Sequence, residues 1–265
     1  MLELSFQAVS SVNHPAIVFL HIPKTAGQSV HHFLMQLVGK SAVAPARVNP
    51  QLYDLSVPEL RRYALVSGHF DWALVDCVGE PKFVFTVLRQ PTERILSFYF
   101  FMRSEAQKLS EAELALPENA GKRAVLRLSC DDYFNGGAPH IRTFLDNHYD
   151  NFYMYYFAGR SYDARQRLIN RPVEKVMQMA LDNMATLDGV YTIDRLDRLE
   201  NDIRQALENK DNRVSLSKLH VNRGAGNGAD RMAELKALGA TEATFERLRS
   251  MVVHDEQIWQ RFADR

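Results

Sequence analysis

The sequence predicts an α/β fold: a P-loop-like, doubly wound parallel sheet flanked by helices, as a single domain over residues 1–265. Three observations predict it. Ile17-Val18-Phe19-Leu20 is a run of bulky apolar residues that reads as a buried strand, and it passes through a short loop into a helical pattern. Lys82 to Leu88 is a second run, rich in β-branched and aromatic residues, and it too leads into a helix. Two shorter strands, Ala64-Leu65-Val66 and Gly189 to Ile193, are interleaved with helical segments, the order in which a parallel sheet is built.

The chain as a whole sets bounds. Its 265 residues suffice for one large α/β domain or two small ones, the absence of internal repeats and low-complexity tracts favours one, and 46% apolar with 24% charged residues is ordinary for a globular core. Lys and Arg number 32, Asp and Glu 32, so the formal charge is zero. That balance speaks against a nucleic-acid or membrane-surface partner, which a basic excess would favour. Cys77 and Cys130 make neither a disulfide framework nor a zinc pattern, and read as reduced buried thiols. No stretch has the length to span a bilayer, and Met1 to Phe6 lacks the basic-then-apolar order of a signal peptide. A cytoplasmic enzyme is therefore expected. The sequence does not indicate an oligomeric state.

Taken in order, the first strand ends at Pro23, which cannot donate to a ladder. Val30, Phe33, Leu34 and Leu37 then fall at i, i+3, i+4 and i+7, one apolar helix face, with Gly39 as its stop. The first helical N–H groups have no internal partners and sit at the positive end of the helix dipole. Lys24 adds a mobile charge, and Thr25 and Ser29 add hydroxyls. Lys24, Thr25, Ala26, Gly27, Gln28 and Ser29 thus form a candidate phosphate loop. The spacing differs from the nucleotide triphosphatase pattern, because Lys24 precedes Gly27 and no Lys precedes Ser29.

Residues 41 to 57 read as a loop with room for a short strand, and Pro58 to Tyr63 as a helical turn. The strand at 64–66 ends in Ser67-Gly68-His69-Phe70-Asp71-Trp72. Ligands of doubly wound sheets sit beyond the carboxyl ends of the strands, which places His69 at the same rim as Lys24. Histidine is the usual group for taking a proton from a hydroxyl, although a His that only caps the strand end satisfies the same pattern. Asp71 either orients that imidazole or pairs with an arginine. The strand at 82–88 runs into Arg89-Gln90-Pro91-Thr92-Glu93-Arg94-Ile95-Leu96-Ser97-Phe98-Tyr99, with Pro91 where a helix begins. Arg89 at the strand end and Ser97 on the helix can clasp one phosphate. Arg94 is either a further ligand contact or an ion pair to a neighbouring helix.

The remainder is mostly scaffold. Met102 to Leu116 and Asn119 to Ser129 read as helices, and Asp131 to Gly137 as a turn with Asp131 as a helix cap. Asp146 to Gly159 is dense in aromatics that read chiefly as core. His140 and His148 have no metal-ligand spacing, and no metal is expected. Val173 to Leu187 and Leu196 to Leu207 are helices, and Leu219 to Gly228 is glycine-rich. A C-terminal helix from Thr241 to Phe262 carries Phe245, Leu248, Val252 and Trp259 as core.

Three of these motifs resemble a known family. Pro23-Lys24-Thr25-Ala26-Gly27 with Ser29, after a strand, is similar to the 5′-phosphosulfate loop of sulfotransferases that use 3′-phosphoadenosine 5′-phosphosulfate (PAPS). The nearest likeness is to carbohydrate O-sulfotransferases of the heparan-sulfate 2-O and 6-O type and their bacterial relatives. Arg89-x-Pro91-x-x-Arg94-x-x-Ser97-x-Tyr99 resembles the same enzymes' 3′-phosphate motif, with Gln90 replacing the commoner Asp. Gly68-His69-Phe70-Asp71-Trp72 resembles their catalytic-histidine segment. The resemblance implies PAPS as co-substrate, 3′-phosphoadenosine 5′-phosphate (PAP) as product, and a small-molecule or glycan hydroxyl as acceptor. It also implies that Asn222 and Arg223 of the glycine-rich loop contact the nucleotide, unless that loop is only surface. Tyr155 stands where the family has an arginine, a departure. His69 and Lys24 are then the catalytic pair. The alternatives are a P-loop kinase, for which no strand-end Asp is evident, and a non-catalytic nucleotide-binding module, which would hold His69 away from Lys24.

Overall fold

The computed structural model describes residues 14–136, 139–209, 213–217 and 228–264. Its sheet has four parallel strands, β1 (Ala16–Leu20), β2 (Leu65–Gly68), β3 (Lys82–Leu88) and β4 (Gly189–Thr192), in the order β2-β1-β3-β4. The register is continuous: Phe19 on β1 lies between Ser67 on β2 and Phe85 on β3, and Thr86 pairs with Val190. A parallel sheet covered on both sides needs apolar residues at successive positions, and Ile17 to Leu20 are all fully buried. The predicted α/β class is what the structure shows.

Helices wrap both faces. After β1 comes α1 (Gly27–Val38); short helices α2 (Asn49–Tyr53) and α3 (Val57–Leu60) precede β2. After β3 come α4 (Pro91–Ala106), α5 (Glu111–Ala115), α6 (Ala120–Arg127), α7 (Cys130–Phe134), α8 (Pro139–His148), α9 (Phe152–Gly159), α10 (Ala164–Leu168) and α11 (Val173–Met184). After β4 come α12 (Leu196–Ala206), α13 (Gly228–Ala237), α14 (Glu242–Ser250) and α15 (Val253–Ala263). One face of the sheet packs Ile17, Phe19 and Phe85 against Val30, Phe33 and Leu34 of α1 and Leu199 and Ile203 of α12. The other packs Val18, Leu20 and Leu88 against α9, α11 and Ile258 of α15. A third cluster joins Ile95 and Tyr99 of α4 to α6, α7, α8, α13 and α14. No described helix is long and apolar enough to cross a membrane.

Several local expectations are corrected. The helix expected over 102–116 is the tail of α4 plus a separate α5, whose start is set by Ser110: its hydroxyl accepts from Glu113 N and Glu113 reaches back to Ser110 N. The turn at 131–137 begins as α7. Its cap is Ser129, whose Oγ accepts from Asp132 N at 3.0 Å, and not Asp131. Asp131 instead holds Thr241 and Thr244 at the start of α14. The C-terminal helix is two, because Met251 and Val252 turn inward and separate α14 from α15. The break delivers Asp255, fully buried, to the amino end of α9, where its two oxygens accept from Tyr153 N and Met154 N, each at 2.9 Å. The aromatics of α9 are core: Phe152, Tyr153, Tyr156 and Phe157 are all under 4% exposed. Both cysteines are free.

The strand order places a switch point between β1 and β3. The chain leaves β1 for β2 on one side and then returns to β3 on the other, so the loops after β1 and β3 diverge and open a crevice. The candidate residues stand around that crevice.

Candidate active site

The loop after β1 is held in an unusual backbone. Lys24 has φ 72° and Ala26 φ 64°, both left-handed and neither glycine. Each costs on the order of 1–2 kcal/mol, a strain that local packing must impose. Thr25 imposes part of it: fully buried, it donates from Oγ1 to the Ile22 carbonyl at 2.8 Å and draws the loop into a ring. Its hydroxyl is thereby spent on the loop. Ser29 N and Val30 N bond the Ala26 carbonyl at 3.1 and 3.2 Å, so the donors at the mouth of α1 without a partner among the described residues are the N–H groups of Gly27 and Gln28. The Ser29 hydroxyl adds to them. Gly27 is required by close approach, since a Cβ there would stand 1.7 Å from Nε2 of His21. His21, 6% exposed, is thus the floor beneath the first helical turn. Its Nδ1 is buried without a partner among the described residues, and burial holds its pKa well below the usual imidazole value.

His69 follows β2 directly. Its imidazole packs beside that of His21, ring centres 4.3 Å apart, and its Nδ1 lies 2.6 Å from the His21 carbonyl. A carbonyl only accepts, so Nδ1 carries the proton and Nε2 presents its lone pair. This is the tautomer a general base needs. Burial lowers the His69 pKa, the bond to the His21 carbonyl opposes that, and the Arg47 charge lowers it further. His69 is therefore neutral at pH 7. Asp71 does neither of the things expected of it. Its carboxylate accepts from Tyr162 N at 2.9 Å and so holds the segment after α9 against β2. The Tyr162 hydroxyl in turn donates to the His21 carbonyl at 3.3 Å.

A basic cluster backs this histidine. Arg47 gives its main-chain carbonyl to His69 N at 2.8 Å. Its guanidinium donates to His31 Nδ1 and, at 3.3 Å, to Ser67 Oγ. Burial and then the Arg47 charge push His31 down to about 4, so it is a neutral acceptor.

On the other side of the loop stands α4. Arg89 is fixed at its main chain by Tyr153, whose hydroxyl accepts from Arg89 N at 3.1 Å and donates to Arg89 O at 2.8 Å. Its Nη1 donates to the Lys24 carbonyl at 3.4 Å, which ties the two anion motifs together. Its Nη2 meets Glu93 at 3.3 Å, and Arg231 of α13 meets the same Glu93 oxygen at 3.0 Å. The Lys24 ammonium rests 3.9 Å over the ring of Phe101. Burial, then Arg89 and Arg231, lower its pKa to about 8. Glu93, Ser97 and Phe101 recur every four residues on α4, so they form one stripe along the helix. Arg89 and Arg231 meet the stripe at Glu93 and Lys24 meets it at Phe101. Ser97, buried between those positions, is therefore on the crevice side.

Arg94 is not on that stripe. It is 1% exposed, lies over the rings of Phe152 and Tyr153, and donates to the His148 carbonyl at 2.8 Å. Of its two expected roles, the structure shows the internal one, with a carbonyl rather than a carboxylate as partner. Tyr155, at the position where an arginine was expected, has Arg165 over its ring. Asn222 and Arg223 lie outside the described residues.

The structure therefore brings Lys24, Thr25, Ala26, Gly27, Gln28, Ser29, His69, Arg89 and Ser97 around one crevice. Sequence reasoning missed His21, Arg47, Glu93 and Arg231. Only Glu93 left a signal, its spacing of four from Arg89, which is that of a helical ion pair. Among the described residues no cluster of His, Cys, Asp and Glu is arranged to hold a metal ion. The Lys24 carbonyl thus joins the Arg89 guanidinium to the loop that opens α1, and the His69 imidazole packs beside His21 beneath that loop. A model of the sulfotransferase family matches residues 9–212, a span that includes the loop, His69, Arg89 and Ser97 and stops short of Arg231. No curated protein matches the chain.

Proposed function

The chain belongs to the sulfotransferase family, and from that premise we propose that it moves a sulfuryl group from PAPS to a hydroxyl, that of a carbohydrate in the first instance. The observation that carries this reading is the link from Arg89 Nη1 to the Lys24 carbonyl, which sets the second anion motif against the first. Two phosphate groups on one small nucleotide need two such subsites in contact. Gly27, Gln28 and Ser29 hold the 5′-phosphate, and Arg89 and Ser97 the 3′-phosphate. Exposed Tyr53, beside Asp71 and hence near His69, gives a flat ring against which a sugar can lie.

The reaction is in-line and is catalysed by positioning and charge, as in phosphoryl transfer. His69 Nε2 takes the proton as the acceptor oxygen forms its bond to sulfur. The bond from sulfur to the 5′-phosphate oxygen breaks, and its electron pair leaves on PAP. Lys24 leaves Phe101 and, with the helix N–H groups, neutralises the charge growing on that oxygen.

A thermal-shift titration with PAP, against 5′-AMP and magnesium ATP, tests the reading. Saturation at about a hundred times the dissociation constant raises stability by about 2.7 kcal/mol. The expected result is a shift with PAP that greatly exceeds the other two. A shift with magnesium ATP and none with PAP would replace the reading by a kinase. Arg89→Ala is expected to weaken PAP by about 1.5–3 kcal/mol, the value of a charged hydrogen bond, and to leave 5′-AMP unchanged. Calorimetric titration of both nucleotides checks this, and equal losses for both would remove Arg89 from the 3′-phosphate.

Lys24 adds a pH dependence. It is charged below its pKa of about 8 and neutral above it, so the affinity for PAP falls as pH rises through that value. In Lys24→Met the fall between pH 7.5 and 9 disappears. A slope that persists in the variant would assign the titration to another group.

A further inference from the structure

Glu93 stands in the place the Proposed function gives to the 3′-phosphate. Its Oε2 alone receives both Arg89 Nη2, at 3.3 Å, and Arg231 Nη1, at 3.0 Å. Charge-assisted bonds are usually about 2.7–2.9 Å, and guanidinium groups pair best with two oxygens. For Arg89, one shared oxygen at 3.3 Å is a loose fit. Arg89 Nε is buried and has no partner among the described residues, so the Arg89 fork is only partly used by them. Among the described residues Arg89, Arg231 and Lys24 all act on one another, Glu93 is the carboxylate between the two arginines, and Glu105 acts on Lys24. Its main chain is fixed, because Gln90 Oε1 accepts from Glu93 N at 2.7 Å in the first turn of α4. Its side chain is partly exposed, at 19%. A phosphate brings two negative charges and three oxygens where Glu93 brings one charge and one oxygen.

We propose that Glu93 is the resident counter-ion of the 3′-phosphate subsite, that Arg231 is the second guanidinium of that subsite, and that the phosphate displaces the Glu93 carboxylate from both arginines. The proposal rests on the PAPS reading. It makes Glu93 a residue that tempers the preference for 3′-phosphorylated nucleotides. A nucleotide with a 3′-hydroxyl leaves the carboxylate in place, and only a 3′-phosphate can exchange for it. Binding is thereby weakened by the cost of releasing Glu93, and that cost falls on 3′-phosphorylated nucleotides alone.

The test is calorimetric titration of the full chain with PAP and with 5′-AMP, in wild type, Glu93→Gln and Arg231→Lys. Glu93→Gln keeps the side chain's size and removes its charge. It is expected to bind PAP about tenfold tighter, equivalent to about 1.4 kcal/mol, with 5′-AMP unchanged. Arg231→Lys loses the planar fork and is expected to weaken PAP and not 5′-AMP. The melting temperature supplies a second readout. Without nucleotide, Glu93→Gln melts below wild type, because two guanidinium groups then face each other, and the rise on adding PAP is larger. If Glu93→Gln binds PAP no better than wild type, or worse, Glu93 serves only to orient Arg89 and the proposal is overturned. If Arg231→Lys weakens both nucleotides equally, Arg231 is not in the subsite. If wild type itself does not prefer PAP to 5′-AMP, the PAPS reading fails first and the proposal goes with it.

Discussion

Replacing His69 by alanine lowers turnover at least about a hundredfold and leaves PAP affinity unchanged, the loss typical of a removed general base. The expectation follows from geometry. The His21 carbonyl accepts a hydrogen bond from Nδ1–H and leaves Nε2 as the ring nitrogen able to accept a proton. The anion loop stays intact in the variant, since Gly27 rests on His21 and not on His69. Turnover is read as PAP released from PAPS with a glycan or phenol acceptor, and affinity by calorimetry. Because burial lowers the His69 pKa, kcat/KM of the wild type stays high at neutral pH and falls only on acidification below the ordinary imidazole range. Turnover equal to wild type in the alanine variant would reassign the base.

Replacing Arg94 by methionine destabilises the protein by about 3–5 kcal/mol, as breaking a buried charge arrangement does, while the folded protein binds PAP as wild type does. Arg94 occupies the space between Phe152 and Tyr153 and lowers the pKa of Asp255, which burial raises to about 7. The sign of the pH dependence follows. Between about 4 and 7 the folded state holds one more proton on Asp255 than the unfolded state, so stability declines as pH rises through that window. Without Arg94 the folded pKa moves higher and the window widens upward. The variant is therefore least stable, relative to wild type, above neutral pH, and recovers part of the difference near pH 5. Urea unfolding at pH 5 and pH 8 checks this, and a PAP affinity that falls with the substitution would return Arg94 to the ligand.

The two anion motifs were legible in the sequence because their chemistry is local. A strand, a proline stop, a glycine and an amphipathic helix fix where free N–H groups emerge, within some fifteen residues of chain. The same holds for Arg89 and Ser97, carried by one strand end and the helix that follows it. Neighbouring residues of the same motif were not separable. Arg94 and Ser97 lie three apart on α4, and the sequence cannot say which side of a helix meets the core when both sides are covered by protein. The long helices suffered similarly: α14 and α15 read as one because their apolar spacing is continuous, and only the inward turn of Met251 and Val252 divides them.

By itself the sequence determined the α/β class, the strand–loop–helix units and the types of group at each strand end. These depend on near neighbours, whose spacing is written in the chain. Tertiary structure decided the rest: the proton on Nδ1 of His69, the internal role of Arg94, and the meeting of Arg89, Glu93 and Arg231. The physical reason is distance along the chain. His69 receives its tautomer from a carbonyl 48 residues away, and Glu93 meets a guanidinium 138 residues away. Such pairings carry no local pattern, because they arise only when the sheet order brings the strand ends to one crevice.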